Sequence, residues 1–477
     1  MSIWTINEEK RNIKKLDKDI NVDILIIGGG ITGLTTAYYL REKDVCIVES
    51  NKIGYGVTKN STAKINYLQE NIYSKIATST SVYNAKKYLE SQKYAIKELK
   101  NIIESHNILC DFKKVSSYVF ANTLKDIKTL NNEIKFLKKN NVDIEEKDLK
   151  INTNIFKAYC VNDTYIFNPI KYLNGVYKIL SKENINIYEN TKILKIKRKN
   201  NKYLCIGENY KIIANKIVLA CHYPFFLFPF ITPIKCSLEK SYIMVSKVDK
   251  DKNLTCISNN NPVYSLRYYE DNNNIYQISL SNNRDLSKNL NDYDNFKSLQ
   301  DKFNIKNKDI IMKYTNSDII TPDYMPYIGK IKNNMYIGLG YNTWGMTNGV
   351  LASKIISDNI LGKENKYSEI FKPNRLNSEI LIKIPYNIFN NAKSFIKSKF
   401  IKNRKVKYYK ENGKSLACYT DNNNENHVVI NKCPHLGCGL NFNEVELTWD
   451  CPCHSSRFDI NGKCIKGPSN YDISYKN

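Results

Sequence analysis

Residues Asp23 to Ile27 (DILII) form a short apolar run. The next six positions read Gly28-Gly29-Gly30-Ile31-Thr32-Gly33, followed by a helix-forming stretch, LTTAYYLREK. Few local patterns restrict a fold as tightly, because a strand, a glycine turn and a helix in immediate succession open a nucleotide-binding βαβ unit. Gly28 permits the tight turn. Gly30 lets the backbone approach a pyrophosphate at the helix N-terminus, where Ile31 and Thr32 begin the helix, and Gly33 lets helix and strand pack closely. A second apolar run, Val45-Cys46-Ile47-Val48, ends in Glu49, about 20 residues after the first glycine, where a carboxylate can accept both ribose hydroxyls. A glycine turn alone arises by chance. Strand, helix and acid in register point to a dinucleotide.

NAD and FAD share this fingerprint. The segment after Glu49, SNKIGYGVTKNSTAKINY, is rich in Gly, Ser and Thr, which suits a loop bonding the pyrophosphate and the edge of a flavin; Ser50, Gly56, Thr58, Ser61 and Thr62 are its candidate contacts. Together with the strand Ile217-Val218-Leu219-Ala220 and the late stretch from Met335 to Thr347 (MYIGLGYNTWGMT), these residues give a chain that resembles the FAD-dependent oxidoreductases of the D-amino-acid oxidase and glycine oxidase superfamily, from about Val22 to Arg375. The resemblance implies FAD contacts at Ala220, Gly340, Trp344, Gly345, Met346 and Thr347. In that family the late glycine stretch closes over the pyrimidine end of the ring, with helix N-terminal amides aimed at its carbonyl oxygen. Read alone, residues 340–347 also fit an ordinary strand-to-helix turn.

The resemblance further implies a lead-in at 1–20 and an oxidoreductase domain at 21–375, with inserts at about 73–163 and 242–314 building an antiparallel substrate domain over the flavin. Arg267, in Val263-Tyr-Ser-Leu-Arg-Tyr-Tyr269, is a candidate clamp for a substrate carboxylate; a sheet-rim Arg is the plainer alternative. The stretch after it, Ile275 to Asn283 (IYQISLSNN), lacks the glycine pair and His of related proteins. His222, in Cys221-His-Tyr-Pro-Phe225, matches a family pattern and is a candidate flavin neighbour or a hydrogen-bonded structural residue.

Residues 376–402 read as a Lys-rich, partly amphipathic linker containing a helix. Residues 403–477 change to short strands and turns, a small all-β domain. Five of the thirteen Cys fall between residues 433 and 464, and three of the five His follow residue 405. Cys433-Pro-His435 and Cys451-Pro-Cys-His454 place one thiolate and one imidazole on each of two loops. A Rieske 2Fe-2S centre uses two Cys on one iron and two His on the other. A Cys2His2 set can also bind zinc, but the flanks, Cys433-Pro-His-Leu-Gly-Cys438 and Cys451-Pro-Cys-His-Ser-Ser-Arg-Phe458, resemble the cluster loops of cytochrome bc and b6f complexes. That likeness implies a disulfide between Cys438 and Cys453, and a Ser456 hydroxyl donating to a bridging sulfide.

Hydrophobic residues at 42% and charged residues at 25% describe a folded chain and exclude a disordered or fibrous one. The net charge of +25 comes from Lys spread along the chain, so no nucleic-acid partner is expected. The densest apolar run, Pro224 to Ile231 (PFFLFPFI), is far shorter than the ~20 residues of a bilayer span. The N-terminus has no signal-peptide pattern. No integral membrane segment and a cytoplasmic location are therefore expected.

The combined reading is a flavin-dependent enzyme oxidising a small amine or amino-acid-like substrate and passing electrons singly to the cluster and an unidentified redox partner. A reductase running the opposite way and a non-catalytic redox sensor or carrier are the alternatives. A Rieske oxygenase needs a further iron held by two His and a carboxylate, and His106, His222 and His427 are far apart in sequence. Phe458 stands where the respiratory relatives often carry Tyr, so its cluster lacks one hydrogen bond that raises the potential. Phe458→Tyr is expected to shift the cluster potential upward in protein-film voltammetry; an unchanged potential would remove this role from position 458.

Overall fold

The computed structural model describes residues 2–225, 232–283, 292–400 and 403–475; the apolar run at 224–231 lies largely outside them. Its centre is an eight-stranded sheet. The parallel strands Ile20–Ile27, Val45–Val48, Asn186–Tyr188, Lys211–Leu219 and Met335–Leu339 form its core, with Tyr327–Lys332 antiparallel at one edge. Ile20–Ile27 sits centrally because both its faces are apolar: Leu25 and Ile26 are fully buried on opposite sides. The helix Ile31–Tyr39 packs on one face beside Gly345–Ile360. It stops before Arg41, short of the full LTTAYYLREK stretch, since strand Val45–Val48 must begin a few residues later.

Gly28 and Gly33 allow this packing. Gly28 adopts φ +115°, and a Cβ there would lie 2.5 Å from the Ala220 carbonyl oxygen; one at Gly33 would lie 1.9 Å from the Gly28 carbonyl oxygen. Both glycines let backbone meet backbone.

A second, nine-stranded sheet is mostly antiparallel and lies over the first, in the order Ile310–Ile320, Ser237–Val248, Asn274–Asn283, Val263–Asp271, Leu254–Ser258, Lys113–Ala121, Lys157–Ile166 and Lys64–Ile65. The strands overrun the insert bounds read from sequence: Ser237 pairs with Ile320, and Lys64 pairs with Ile166. The lead-in is part of the core rather than a tail. Trp4 is buried, donates from Nε1 to the Ser61 carbonyl at 2.9 Å, and meets the Tyr269 ring at 4.8 Å.

After the helix Ser378–Ser398, two small sheets of three and four strands form the C-terminal region around buried Trp449, Phe442 and Phe458. This region docks on Ile310–Ile320, the edge strand of the nine-stranded sheet. Glu446 accepts from the Thr315 amide at 2.9 Å and from its hydroxyl. Arg457 forks onto Asp450 at 2.8 Å and reaches Glu446 at 2.9 Å. An exposed edge is thereby covered.

Gly33→Ala is expected to lower the unfolding free energy by about 2 kcal/mol, the scale of forced overpacking. Urea unfolding of the cofactor-free protein checks this, separating packing from cofactor loss.

Candidate functional site

The parallel strands end at one long cavity, the position where open α/β sheets bind ligands. Gly28, Gly30, Ile31 and Thr32 line it, as do Glu49, Ser50, Gly56 and Thr58 on the following loop, Ala220, and Gly345 and Met346 at the helix start. Glu49 accepts from the Gly29 amide at 2.7 Å and from the Asn51 amide at 2.8 Å, with Ser50 adding a hydroxyl donor. Burial raises its pKa, and those donors oppose the shift. Lys192 and Ile193 wall the end near Glu49.

A second cavity adjoins the first at Val57, Asp318, Gly345 and Met346, under the nine-stranded sheet. Ser61, Thr62 and Trp344 line it, together with Lys64, Asn282 and Asn316. Lys64 is buried and donates to the Cys256 carbonyl at 2.9 Å and to the Ser265 hydroxyl; burial pushes its pKa down to about 7. Asp318, facing both cavities, is pushed up to about 6 by burial.

His222 lines the first cavity with a left-handed backbone (φ 60°), its Nε2 3.0 Å from the Ser317 carbonyl oxygen. Burial lowers its pKa to about 3, so the ring is neutral near pH 7.

The C-terminal region closes the cavity from the far side. Ile465 to Asn470 line it. Lys466 reaches across to Asn316 at 3.4 Å and Asn470 donates to the Leu194 carbonyl at 3.0 Å. Burial lowers Lys466 to about 8, with Arg457 adding to the shift and Asp318 opposing it.

Behind this loop lie Cys433, His435, Cys451 and His454. The two His rings are 5.0 Å apart. Burial lowers His435 to about 4 and His454 to about 3, keeping both rings neutral as ligands must be. His435 Nδ1 and both ring nitrogens of His454 are buried without a hydrogen-bond partner. The Cys451 thiol and the Ser456 hydroxyl hydrogen-bond to the Cys433 sulfur and hold Cys433 below the usual thiol range. Cys438 and Cys453 form a disulfide beside them. Orphaned ring nitrogens and two converging sulfurs fit a 2Fe-2S cluster held by two Cys and two His. The glycine cradle, the bonded acid and the helix N-terminus equally fit a flavin dinucleotide.

Tyr223 lies between the two sites. It lines the first cavity, and its ring centre is 5.7 Å from that of His454 and 6.5 Å from that of His435.

Residues 23–359 match the FAD dependent oxidoreductase family, and residues 393–475 match the Rieske [2Fe-2S] domain. The chain belongs to the FAD dependent oxidoreductase family. It is 28% identical to the Rieske 2Fe-2S iron-sulfur protein YhfW of Bacillus subtilis, across 98% of this chain and 95% of that one. Two solved structures share the fold over 75% of this chain: glycine oxidase from Geobacillus kaustophilus (TM-score 0.62, 14% identity, all of that chain) and L-proline dehydrogenase from P. horikoshii (TM-score 0.60, 16% identity, 98% of that chain). The protein is thus an FAD-dependent oxidoreductase carrying a Rieske 2Fe-2S domain.

Three of the candidate residues sit away from both cavities. Arg267 is one. It is fully buried, and its Nη1 donates to the carbonyls of Thr62, Ala63 and Phe167 while Nε donates to that of Tyr268, under the faces of Trp4 and Tyr269. It lines neither cavity, because its strand turns alternate side chains to opposite faces and this one meets backbone. Gly340 and Thr347 also lie behind the wall: Gly340 turns against Thr321, and Thr347 bonds the backbone of Asn66. Tyr223, Asp318, Lys64 and the 465–470 loop also line the cavities, with little in the sequence to mark them. For Lys64, an apolar-flanked Lys inside a short strand was the one available signal.

Arg267→Met is expected to lower stability by roughly 3 kcal/mol, since it strands several buried carbonyls. Arg267→Lys should recover little, one ammonium being unable to span the same fork. Denaturant unfolding of the three proteins measures both.

Proposed function

We propose that this protein oxidises a small amine or amino-acid-like substrate in the second cavity and passes the electrons one at a time to its own Rieske cluster. The observation carrying this reading is Tyr223, whose ring contacts both cluster His and whose other side lines the FAD cavity. The buried face of the His pair is turned to the flavin domain. FAD bound in the first cavity supplies two-electron chemistry on the substrate, and the cluster supplies one-electron chemistry.

The remaining roles follow from this reading. Gly28, Gly30 and Glu49 would hold the dinucleotide, with Met346 and the amides opening Gly345–Ile360 facing the same cavity. Lys64, the buried amine near neutrality, is placed to exchange a proton with a substrate nitrogen, and Asn282 and Asn316 offer polar contacts. His222 stays neutral and positions its loop. The two solved neighbours are a glycine oxidase and an L-proline dehydrogenase, which supports a C–N substrate. In this reading residues 21–375 and 403–477 divide the work, 376–402 join them, and the free thiols elsewhere fit a cytoplasmic setting.

Anaerobic mixing with a panel of amines and amino acids tests the proposal, with flavin absorbance and the EPR signal of the reduced cluster recorded together. Flavin bleaching followed by cluster reduction is expected, and Tyr223→Ala should slow the second phase more than the first. A flavin that no amine bleaches, but that an external donor reduces through the cluster, would reverse the direction of flow.

A further inference from the structure

The helix Ser378–Ser398 is amphipathic in an inverted sense. A helix on a folded domain normally turns its apolar stripe inward. Here the inward face consists of Ile380, Asn387 and Ser398. Asn387 donates to the Ile234 carbonyl at 3.0 Å, and the Ser398 hydroxyl accepts from the Gly439 amide at 2.9 Å. The outward face carries Leu381, Ile382, Tyr386, Phe389 and Ile396, with Phe400 just beyond, each more than half exposed. At 100° per residue these positions share one side of the helix. A continuous exposed stripe of that kind marks an interaction surface.

Charge selects the occupant. Between residues 378 and 400 the sequence has four Lys and one acid, Glu379, and Glu379 lies 3.7 Å from Lys383. Lys383, Lys393 and Lys399 flank the stripe, and the chain as a whole carries +25. Two copies meeting through this face would bring like charges together, whereas an anionic lipid surface accepts both the apolar side chains and the ammonium groups. We propose that Ser378–Ser398 lies flat on an anionic membrane surface and docks the enzyme there without spanning it. Among the described residues no helix is long and apolar enough to cross a membrane. Most of this helix falls between the two regions that match known families.

The placement has a functional side. Lys399 donates to the Gly437 carbonyl at 2.6 Å, and Gly439 packs on the Ser398 carbonyl. The loop bearing Cys433 and His435 is therefore tied to the end of the docking helix, with Leu436 exposed beside it. Docking brings the cluster's first loop to the lipid surface.

Flotation of the full-length holoprotein with vesicles tests the proposal, using phosphatidylglycerol–phosphatidylcholine mixtures against phosphatidylcholine alone. Wild type is expected to float with the anionic vesicles, more weakly as salt rises. Ile382→Ser with Phe389→Ser should cut the bound fraction about tenfold while flavin and cluster spectra stay unchanged. Lys383→Glu with Lys393→Glu, which leaves the apolar stripe in place, should abolish the preference for anionic lipid. Wild type that does not bind, or binding that neither pair of substitutions alters, overturns the proposal. So does a dimer that the Ser substitutions dissolve in the absence of lipid binding, which would give the face to a second copy.

Discussion

Arg457 lies partly buried between Asp450 and Glu446, and Glu446 in turn holds the Thr315 amide of the edge strand. A cation held largely out of water is tolerated there because two carboxylates and the Thr315 hydroxyl surround it, and removing Arg457 would strand the carboxylates that face it. This network sets where the C-terminal domain sits. Tyr223 against the His pair, Lys466 against Asn316 and the 465–470 loop along the FAD cavity all follow from that one docking geometry. Thr315 contributes through backbone as well as side chain, so the register of the edge strand and the position of the cluster are fixed together.

A parallel constraint operates inside the oxidoreductase domain. Arg267, Lys64 and Trp4 tie three segments far apart in sequence into one block beneath the substrate sheet. Arg267 binds carbonyls from residues 62 and 63 and from 167, so the loop lining the second cavity cannot shift without exposing buried backbone groups. The residue that looked most like a substrate ligand instead gives that loop its shape, and Lys64 becomes the buried amine that faces the cavity.

What could be read in advance divides along a physical line. The glycine turn, Glu49 and the Cys and His pairs were legible because their chemistry depends on neighbours within a few residues. The inward or outward sense of Arg267 was not, since it depends on which backbone lies opposite strand Val263–Asp271 after folding. Lys466 and Tyr223 acquire meaning only when segments 150 or more residues apart meet, and neither has a local signature. Residues 376–402 read as a partly amphipathic linker containing a helix, and Ser378–Ser398 is helical, but periodicity states only that one face is apolar. Which face meets solvent is decided by Asn387 and Ser398, two polar residues that anchor the helix by hydrogen bonds.

The 465–470 loop has a thermodynamic consequence. It belongs to the cluster domain yet forms one wall of the dinucleotide cavity, with Asn470 bonded to Leu194 on the opposite rim. Closing that wall and holding FAD are therefore linked equilibria, and linkage is reciprocal: whatever favours the docked domain tightens the dinucleotide by the same factor. Iron loading, which stabilises the folded C-terminal domain, should then lower the FAD dissociation constant without touching a single FAD contact.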